Sequence, residues 1–170
     1  ALLERGSATA EVRCHLGMLA FRQSDYAQAR AHFDAAVTGF RARGDHARVA
    51  AVQLTFGMVP QMQGDYGEAA ARFREALAYF RENGDRAGEA LCTFNLGDCL
   101  LFAGDYDRAE PLLLRARDLC VAIRHRDWEG FCVHSLAAVA LRRGERAPGR
   151  RLLEEALAIH RATGNRFWEG

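Results

Sequence analysis

Residues 64–80, with the sequence GDYGEAAARFREALAYF, contain the pattern that decides the fold. Gly64 suits the left-handed conformation that ends a helix, and Asp65 is a favoured N-cap residue for the helix that follows. The next apolar side chains follow the i, i+3, i+4, i+7 spacing of one helical face, at Phe73, Ala76, Leu77 and Phe80. The stretch therefore predicts a tight turn followed by a helix that buries one side.

The same pattern recurs every 40 residues without an insertion. The turn at residues 64–66 has counterparts at Ser24-Asp25-Tyr26, Gly104-Asp105-Tyr106 and, less faithfully, Gly144-Glu145-Arg146. A second turn in each repeat reads Gly44-Asp45, Gly84-Asp85, His125-Arg126 and Gly164-Asn165. Two turns per repeat predict antiparallel helix pairs over 8–23 and 26–43, 46–63 and 66–83, 86–103 and 106–123, and 127–143 and 146–163. Since neither helix of a pair can bury its apolar stripe alone, neighbouring pairs are expected to stack.

Composition narrows the function classes further. The 170 residues are 49% hydrophobic and 26% charged, which is typical of a soluble folded protein. Basic and acidic residues number 23 and 22, so the net charge is +1, whereas a general nucleic-acid or anionic-membrane binder usually carries a clear basic excess. No apolar run approaches the roughly 20 residues that a membrane span needs. We therefore expect a cytoplasmic protein with no direct nucleic-acid or membrane partner.

One repeat carries a family signature most fully, at Leu96-Gly97, Gly104-Asp105-Tyr106, Ala109, Leu113 and Ala116. These residues resemble the tetratricopeptide repeat family, and the first two repeats match about as well. The fourth repeat departs from it, with Ala137 for Gly, Arg146 for Tyr and Gly149 for Ala. The resemblance implies an all-α fold, a right-handed superhelical solenoid of four antiparallel helix pairs. The 40-residue period exceeds the usual period of about 34. In this longer period the chain is similar to the repeat regions of large bacterial LuxR-type and antibiotic-regulatory activators and of signalling scaffolds.

The repeats also set the expected domain organisation. We predict one repeat domain over residues 1–170, with repeats at about 6–45, 46–85, 86–125 and 126–165. Residues 166–170 nearly copy residues 126–130, so they are expected to start a truncated fifth repeat. The chain is therefore interpreted as a piece of a longer protein.

Residues able to support catalysis or bind a metal are not arranged in a recognisable motif. Cys92 and Cys99 are seven residues apart and Cys132 and His134 two apart, and neither spacing is that of a zinc finger. The cysteines are expected to be small buried hydrophobic residues, with a metal site as the alternative. The His125-Arg126-Asp127 stretch imitates a kinase catalytic-loop fragment, but its place at a turn favours a capping variant. We expect no enzyme, no cofactor and no metal.

The family resemblance implies a concave groove lined by the first helix of each repeat. Of 20 such positions carried over to this sequence, 14 are apolar, and they include all three methionines. The predicted partner-binding residues are Met18, Phe21, Leu54, Met58, Met62, Leu91, Phe94, Asp98, Leu101, Phe102, Phe131 and His134. A flexible apolar surface of this kind is typical of a binding site. The alternative interpretation is that some of these side chains only pack between neighbouring repeats.

The occupant expected in this groove is a protein or peptide segment that presents an apolar helical face. Asp98 is interpreted either as an orienting charge or as a solvated side chain. Pro60 lies inside the first helix of the second repeat and is expected to kink its last turn beside Met58 and Met62. The chain is thus predicted to be a protein–protein interaction module of a larger bacterial regulator or scaffold. The alternative function is an effector-sensing domain with a peptide or small ligand in the same groove, and the sequence leaves the oligomeric state open.

Overall fold

The computed structural model describes residues 2–164. This part of the chain is built from helices alone, which confirms the predicted all-α fold of paired helices. The helices are α1 (Leu2–Arg22), α2 (Tyr26–Arg41), α3 (His46–Phe56), α4 (Met58–Met62), α5 (Tyr66–Glu82), α6 (Arg86–Phe102), α7 (Tyr106–Ala122), α8 (Arg126–Arg142) and α9 (Arg146–Thr163). The first helix of each repeat is therefore α1, α3 with α4, α6 or α8. The predicted fifth repeat at 166–170 lies outside the described residues.

The predicted turns end one helix and start the next as the sequence indicated. The side chains of five N-cap aspartates each accept a hydrogen bond from the backbone N–H three residues later, at Asp25, Asp45, Asp65, Asp85 and Asp105. The glycines before four of these caps have positive φ, at Gly44, Gly64, Gly84 and Gly104. Local sequence therefore fixes where these helices begin and end.

One turn lacks both the glycine and the aspartate of the Gly-Asp pattern. Arg124 takes the left-handed conformation with φ 58°, and the Nδ1 atom of His125 accepts from the Trp128 N–H at 3.4 Å. This confirms that the His125 stretch is a capping variant. It also corrects the sequence alignment, because the turn and cap positions are Arg124 and His125 rather than His125 and Arg126.

The chain divides into two compact units, Ala1–Asn83 and Gly84–Gly170, and each unit contains two of the predicted repeats. In the first unit α2 packs on both α1 and α3, while α5 packs on α3 and α4. In the second unit α7 packs between α6 and α8, and α9 packs on α8. A single continuous domain and a right-handed superhelix stay predictions.

The first unit has an aromatic core, and the first helix of its second repeat is divided into α3 and α4. The rings of Phe33 and Phe56 stack with centroids 5.4 Å apart, and both side chains are fully buried. Helix α3 ends at Phe56 because Pro60 has no N–H to donate to the Phe56 carbonyl. The expected distortion is present, but it lies at Gly57, one turn before Pro60, rather than over the last turn.

The second unit shows why the fourth repeat departs from the family pattern. A Cβ atom on Gly149 of α9 would lie 2.6 Å from the Leu141 side chain and 3.4 Å from the Ala137 carbonyl oxygen of α8. Ala137 stands where the other repeats have glycine, and Gly149 stands where they have alanine. The close packing of α9 on α8 thus leaves no room for a Cβ atom at position 149. In the other repeats the glycine instead makes room for the Phe33, Phe73 or Leu113 side chain.

Candidate partner-binding surface

Exposed apolar side chains concentrate on the first helices of the repeats. Among the residues whose side chains are described, ten large hydrophobic residues are exposed, and seven of these lie on first helices. They are Val12, Leu16 and Leu19 on α1, Met58 and Met62 on α4, Phe102 on α6 and Leu141 on α8. The remaining three, Leu114, Val121 and Leu153, lie on second helices. Exposed apolar area is therefore unevenly distributed, which is a property of binding surfaces.

Five predicted partner-binding residues lie in the first unit, and we call them the methionine surface: Met18, Phe21, Leu54, Met58 and Met62. Met58 and Met62 are 38% and 57% exposed, and they are one turn apart on α4. Leu54 is half-buried one turn earlier, on α3. Met18 and Phe21 are half-buried on α1 and pack against the core that also contains Phe56. The side chains on α1 thus pack partly against the core, whereas the two methionines on α4 are exposed.

A polar network holds α3 in place just before its interruption. The Arg72 guanidinium on α5 lies 3.4 Å from the ring centroid of Phe56 and donates to the Gln53 side-chain oxygen at 3.1 Å. The buried Gln53 side chain donates in turn to a Glu75 carboxylate oxygen at 2.7 Å. A cation over an aromatic face together with satisfied buried hydrogen bonds stabilises one arrangement of these helices. The end of α3, from which α4 continues, is therefore anchored to α5.

Glu68 extends this network to α2. Its Oε1 atom accepts from Arg30 at 2.5 Å and from Arg72 at 2.8 Å. The Arg30 hydrogen bond, followed by that of Arg72, lowers the pKa of Glu68, while burial acts in the opposite direction. The Glu68 side chain is thus hydrogen-bonded to arginines of both α2 and α5.

Two predicted partner-binding residues of the second unit are buried in its core. Phe94 is 9% exposed and meets Trp128 edge to face, with ring centroids 5.5 Å apart. Leu101 is 8% exposed and belongs to the same hydrophobic cluster. For these two side chains the structure favours the alternative interpretation, packing within the protein, because a partner cannot reach them. We therefore leave both out of the proposed surface.

The polar residues predicted for the second unit are partly buried. Burial raises the pKa of Asp98 to about 6, and a hydrogen bond with Ser135 opposes this shift. The Asp98 Oδ1 atom is buried without a hydrogen-bond partner. Burial, and then the neighbouring His160, lowers the pKa of the half-buried His134. The Asp98 carboxylate is therefore not freely solvated, and only part of it is hydrogen-bonded.

The other predicted residues of this unit differ in accessibility. Phe102 is 57% exposed, near the end of α6. Phe131 is half-buried, with ring contacts to Trp128 at 5.6 Å and His160 at 5.2 Å between centroids. Of this group only Phe102 offers a large apolar surface to a partner.

Leu91 lines a small apolar cavity that sequence analysis missed. The cavity measures about 80 Å³, and its other lining residues are Ala87, Ala90, Cys120, Ile123, His125 and Trp128. It lies beside the turn at Arg124 and His125, where both residues of the Gly-Asp pattern are replaced. The replacement of Gly-Asp by Arg124-His125 was the feature of the sequence that could have pointed to this cavity.

The burial expected for the cysteines is confirmed at four of the five positions. Cys92, Cys99, Cys120 and Cys132 are buried thiols, and Cys14 is half-buried. A hydrogen bond with the Cys120 thiol, together with burial, raises the pKa of Cys132. Across residues 9–164 there is no group of three or more His, Cys, Asp or Glu side chains able to hold a metal ion. In the same part of the chain no helix combines the length and apolar character needed to span a bilayer.

Comparison with protein families gives one description for almost the whole chain. The model described as "Tetratricopeptide repeat" matches residues 7–82, 61–121 and 86–162. No curated protein sequence matches this chain.

Solved structures share the fold at low sequence identity. BtubC (BKLC) from P. vanneervenii is 20% identical with a TM-score of 0.81, over 91% of this chain and 64% of that one. The apo form of RapI is 14% identical with a TM-score of 0.86, over 94% of this chain and 58% of that one. A Podosopora anserina putative kinesin light chain with nearly identical TPR-like repeats is 17% identical, with a TM-score of 0.70, over 91% of this chain and 76% of that one. The chain thus spans about three fifths of the length of the first two proteins, and at these identities the similarity concerns the fold alone.

Proposed function

Because the chain belongs to the tetratricopeptide repeat family, we propose that it is a protein–protein interaction module that binds a partner segment on its methionine surface. The observation that carries this proposal is the exposure of Met58 and Met62, at 38% and 57%, on a first helix. First helices line the concave groove that the family resemblance implies. A non-catalytic role, in the cytoplasm and within a larger bacterial regulator or scaffold, is part of the same proposal.

The chemistry of this surface suits an apolar helical segment. Methionine side chains are flexible and polarisable, so they adapt to differently shaped apolar partners. Met58 and Met62 are four residues apart, and a partner helix with anchors at i, i+3 and i+7 presents side chains at a similar spacing. Anchoring of α3 by Arg72 and Gln53 keeps the underlying backbone in place, which reduces the entropy lost on binding.

The test measures binding of defined peptides rather than capture of an unknown protein. A displayed library of amphipathic helical peptides, with randomised anchors at i, i+3 and i+7, is selected on the wild-type chain. Affinities of the enriched peptides are then measured by fluorescence anisotropy for wild type and for the Met58→Glu/Met62→Glu variant. We expect the double variant to lose at least about tenfold in affinity, because two carboxylates are then placed in an apolar contact.

The matched control is Leu114→Glu/Val121→Glu, which changes two comparably exposed apolar residues on the second helix α7. This variant should bind the peptides as wild type does. Equal loss in both variants, or unchanged affinity in the methionine variant, would remove the methionine surface from the proposal. Far-UV circular dichroism shows whether each variant retains its helices, and unfolding of the methionine variant would mean that these residues belong to the core.

A second function, effector sensing, is favoured by one observation in the second unit. The Asp98 Oδ1 atom is buried and lacks a hydrogen-bond partner, so a small ligand with an amine or hydroxyl donor would satisfy it. A thermal-shift screen of free amino acids and short peptides tests this alternative. Stabilisation by a compound should disappear in Asp98→Asn but persist in Met58→Glu/Met62→Glu, and a compound that stabilises all three proteins equally would count against it.

A further inference from the structure

The apolar cavity of the second unit adjoins a cysteine that stands where earlier repeats have phenylalanine. Cys120 of α7 lines this cavity, and subtracting 40 or 80 from its residue number gives Phe80 and Phe40. Both phenylalanines are buried. A cysteine side chain is much smaller than a phenylalanine ring, so the exchange leaves space beside the thiol. We call this space of about 80 Å³ the Cys120 cavity.

The Cys120 cavity reaches the surface of its unit. Ala87 at the start of α6 and His125 at the turn belong to its lining and are exposed, whereas Cys120 is 1% exposed. The volume exceeds what a single water molecule needs. Because most of the lining side chains are apolar, a small uncharged solute enters more readily than an ion. Such a solute meets the Cys120 thiol inside the cavity.

A second thiol lies against Cys120. Cys132 is fully buried on α8, which packs on α7, and the two cysteines share one hydrophobic cluster. The Cys132 S–H donates a hydrogen bond to the Cys120 sulfur, which lowers the pKa of Cys120 and raises the pKa of Cys132. The thiolate is the reactive form of a cysteine. Cys120 is therefore the thiol that reacts first, and Cys132 is placed to react with the product.

We propose that Cys120 is a site of oxidation by small hydroperoxides, such as hydrogen peroxide, that enter the Cys120 cavity, and that Cys132 then forms a disulfide with it. In the first step the Cys120 sulfur takes the terminal OH of the hydroperoxide and the O–O bond breaks. The remaining oxygen leaves with the thiol proton, as water or an alcohol, and Cys120 becomes a sulfenic acid.

The second step converts the sulfenic acid to a disulfide. The Cys132 sulfur attacks the Cys120 sulfur, the S–O bond breaks, and the hydroxide leaves with the Cys132 proton as water. The two thiols together have supplied the electron pair that reduces the hydroperoxide. The product ties α7 to α8, which belong to consecutive repeats of the second unit. In the first unit the corresponding residues are Phe40 and Val52, so the disulfide is a property of the second unit.

The experiment treats the fully reduced chain with about one equivalent of hydrogen peroxide, followed by alkylation, trypsin digestion and mass spectrometry. Cleavage after arginine separates the cysteines: Cys120 lies in residues 118–124, Cys132 in 127–142, Cys14 in 14–22, and Cys92 with Cys99 in 87–108. We expect peptides 118–124 and 127–142 to be joined, with a mass about 2 Da below their sum because two hydrogens are lost, and to separate again with dithiothreitol. Oxidation of the half-buried Cys14 while Cys120 stays reduced would overturn the proposal.

Two cysteine variants test which thiol reacts first. In Cys132→Ala the sulfenic acid should accumulate at Cys120, where a 1,3-diketone reagent traps it. In Cys120→Ala we expect Cys132 to stay reduced under the same treatment. A sulfenic acid that forms at Cys132 of this variant as fast as at Cys120 of the other would contradict the assigned order.

A substitution at the surface tests the route through the Cys120 cavity without changing the core. Ala87→Leu places a larger side chain in the lining of the cavity at an exposed position. The matched control is Ala47→Leu, because Ala47 occupies the same position of the second repeat and is also exposed. With excess hydrogen peroxide, Ala87→Leu should form the disulfide at least about fivefold more slowly than wild type, since access limits thiol oxidation, and Ala47→Leu should react as wild type does. Equal rates in both variants would refute entry through the cavity.

Discussion

Replacement of Gly57 by alanine tests the close helix packing on which the first unit depends. Gly57 has φ −56° and ψ −24°, so alanine fits the backbone without strain. A Cβ atom at this position, however, would lie 2.4 Å from Cε1 and 2.7 Å from Cζ of the fully buried Phe73 ring. Overpacking of this kind costs about 1–3 kcal/mol, and the better helix propensity of alanine returns up to about 1 kcal/mol. We therefore expect Gly57→Ala to lower the free energy of unfolding by about 1–2 kcal/mol.

The assay is urea unfolding followed by far-UV circular dichroism, with Gly67→Ala as the control. Gly67 lies in α5, and the nearest atom to its added Cβ would be an Asp65 carboxylate oxygen at 3.6 Å, an ordinary contact. This control should therefore gain about 0.5–1 kcal/mol from reduced chain entropy. If Gly57→Ala proves as stable as Gly67→Ala, the inferred contact between Gly57 and Phe73 is wrong.

Two further predictions concern charged side chains. Because burial raises the pKa of Asp98 from 3.8 to about 6, its contribution to stability is fully present below about pH 4 and is lost as the pH rises through about 6. Asp98→Asn should remove this loss of unfolding free energy, about 2–3 kcal/mol between pH 4 and pH 7. Asp118→Asn, at an exposed position, is the control and should show the same pH dependence as wild type. Both variants are measured by urea unfolding at the two pH values. Asp65→Ala should cost about 1 kcal/mol in thermal unfolding because a cap hydrogen bond is lost. Glu145→Ala should change stability by less than about 0.5 kcal/mol, since Glu145 makes no side-chain cap bond, and equal losses would contradict the role of the cap.

The helices could be predicted closely because the signals that set their ends are local. Asp65 satisfies a backbone donor three residues away, and Gly64 needs only its own left-handed conformation, with φ 81°. The apolar stripe of α5 likewise follows from residue spacing alone. Such features repeat every 40 residues, so one repeat predicts the others.

The candidate site was harder to predict because accessibility depends on neighbours from other repeats. Phe94 occupies a position that the family resemblance assigns to the groove, yet Trp128 covers it. Asp98 was interpreted as an orienting or solvated charge, but burial takes one of its oxygens out of contact with any donor. Val12, Leu16 and Leu19 on α1 align with core residues of later repeats, yet they are exposed. Alignment gives the face on which a residue lies, whereas its exposure depends on the adjoining helix.

The most direct test of the proposed partner-binding surface uses the methionine methyl groups. The chain has three methionines, and Met18, Met58 and Met62 all belong to the methionine surface. In a chain labelled with ¹³C at the methionine methyl groups, we expect the selected helical peptide to shift or broaden the Met58 and Met62 signals most, since these side chains are the most exposed. Saturating peptide that leaves all three methyl signals unchanged would contradict the proposal.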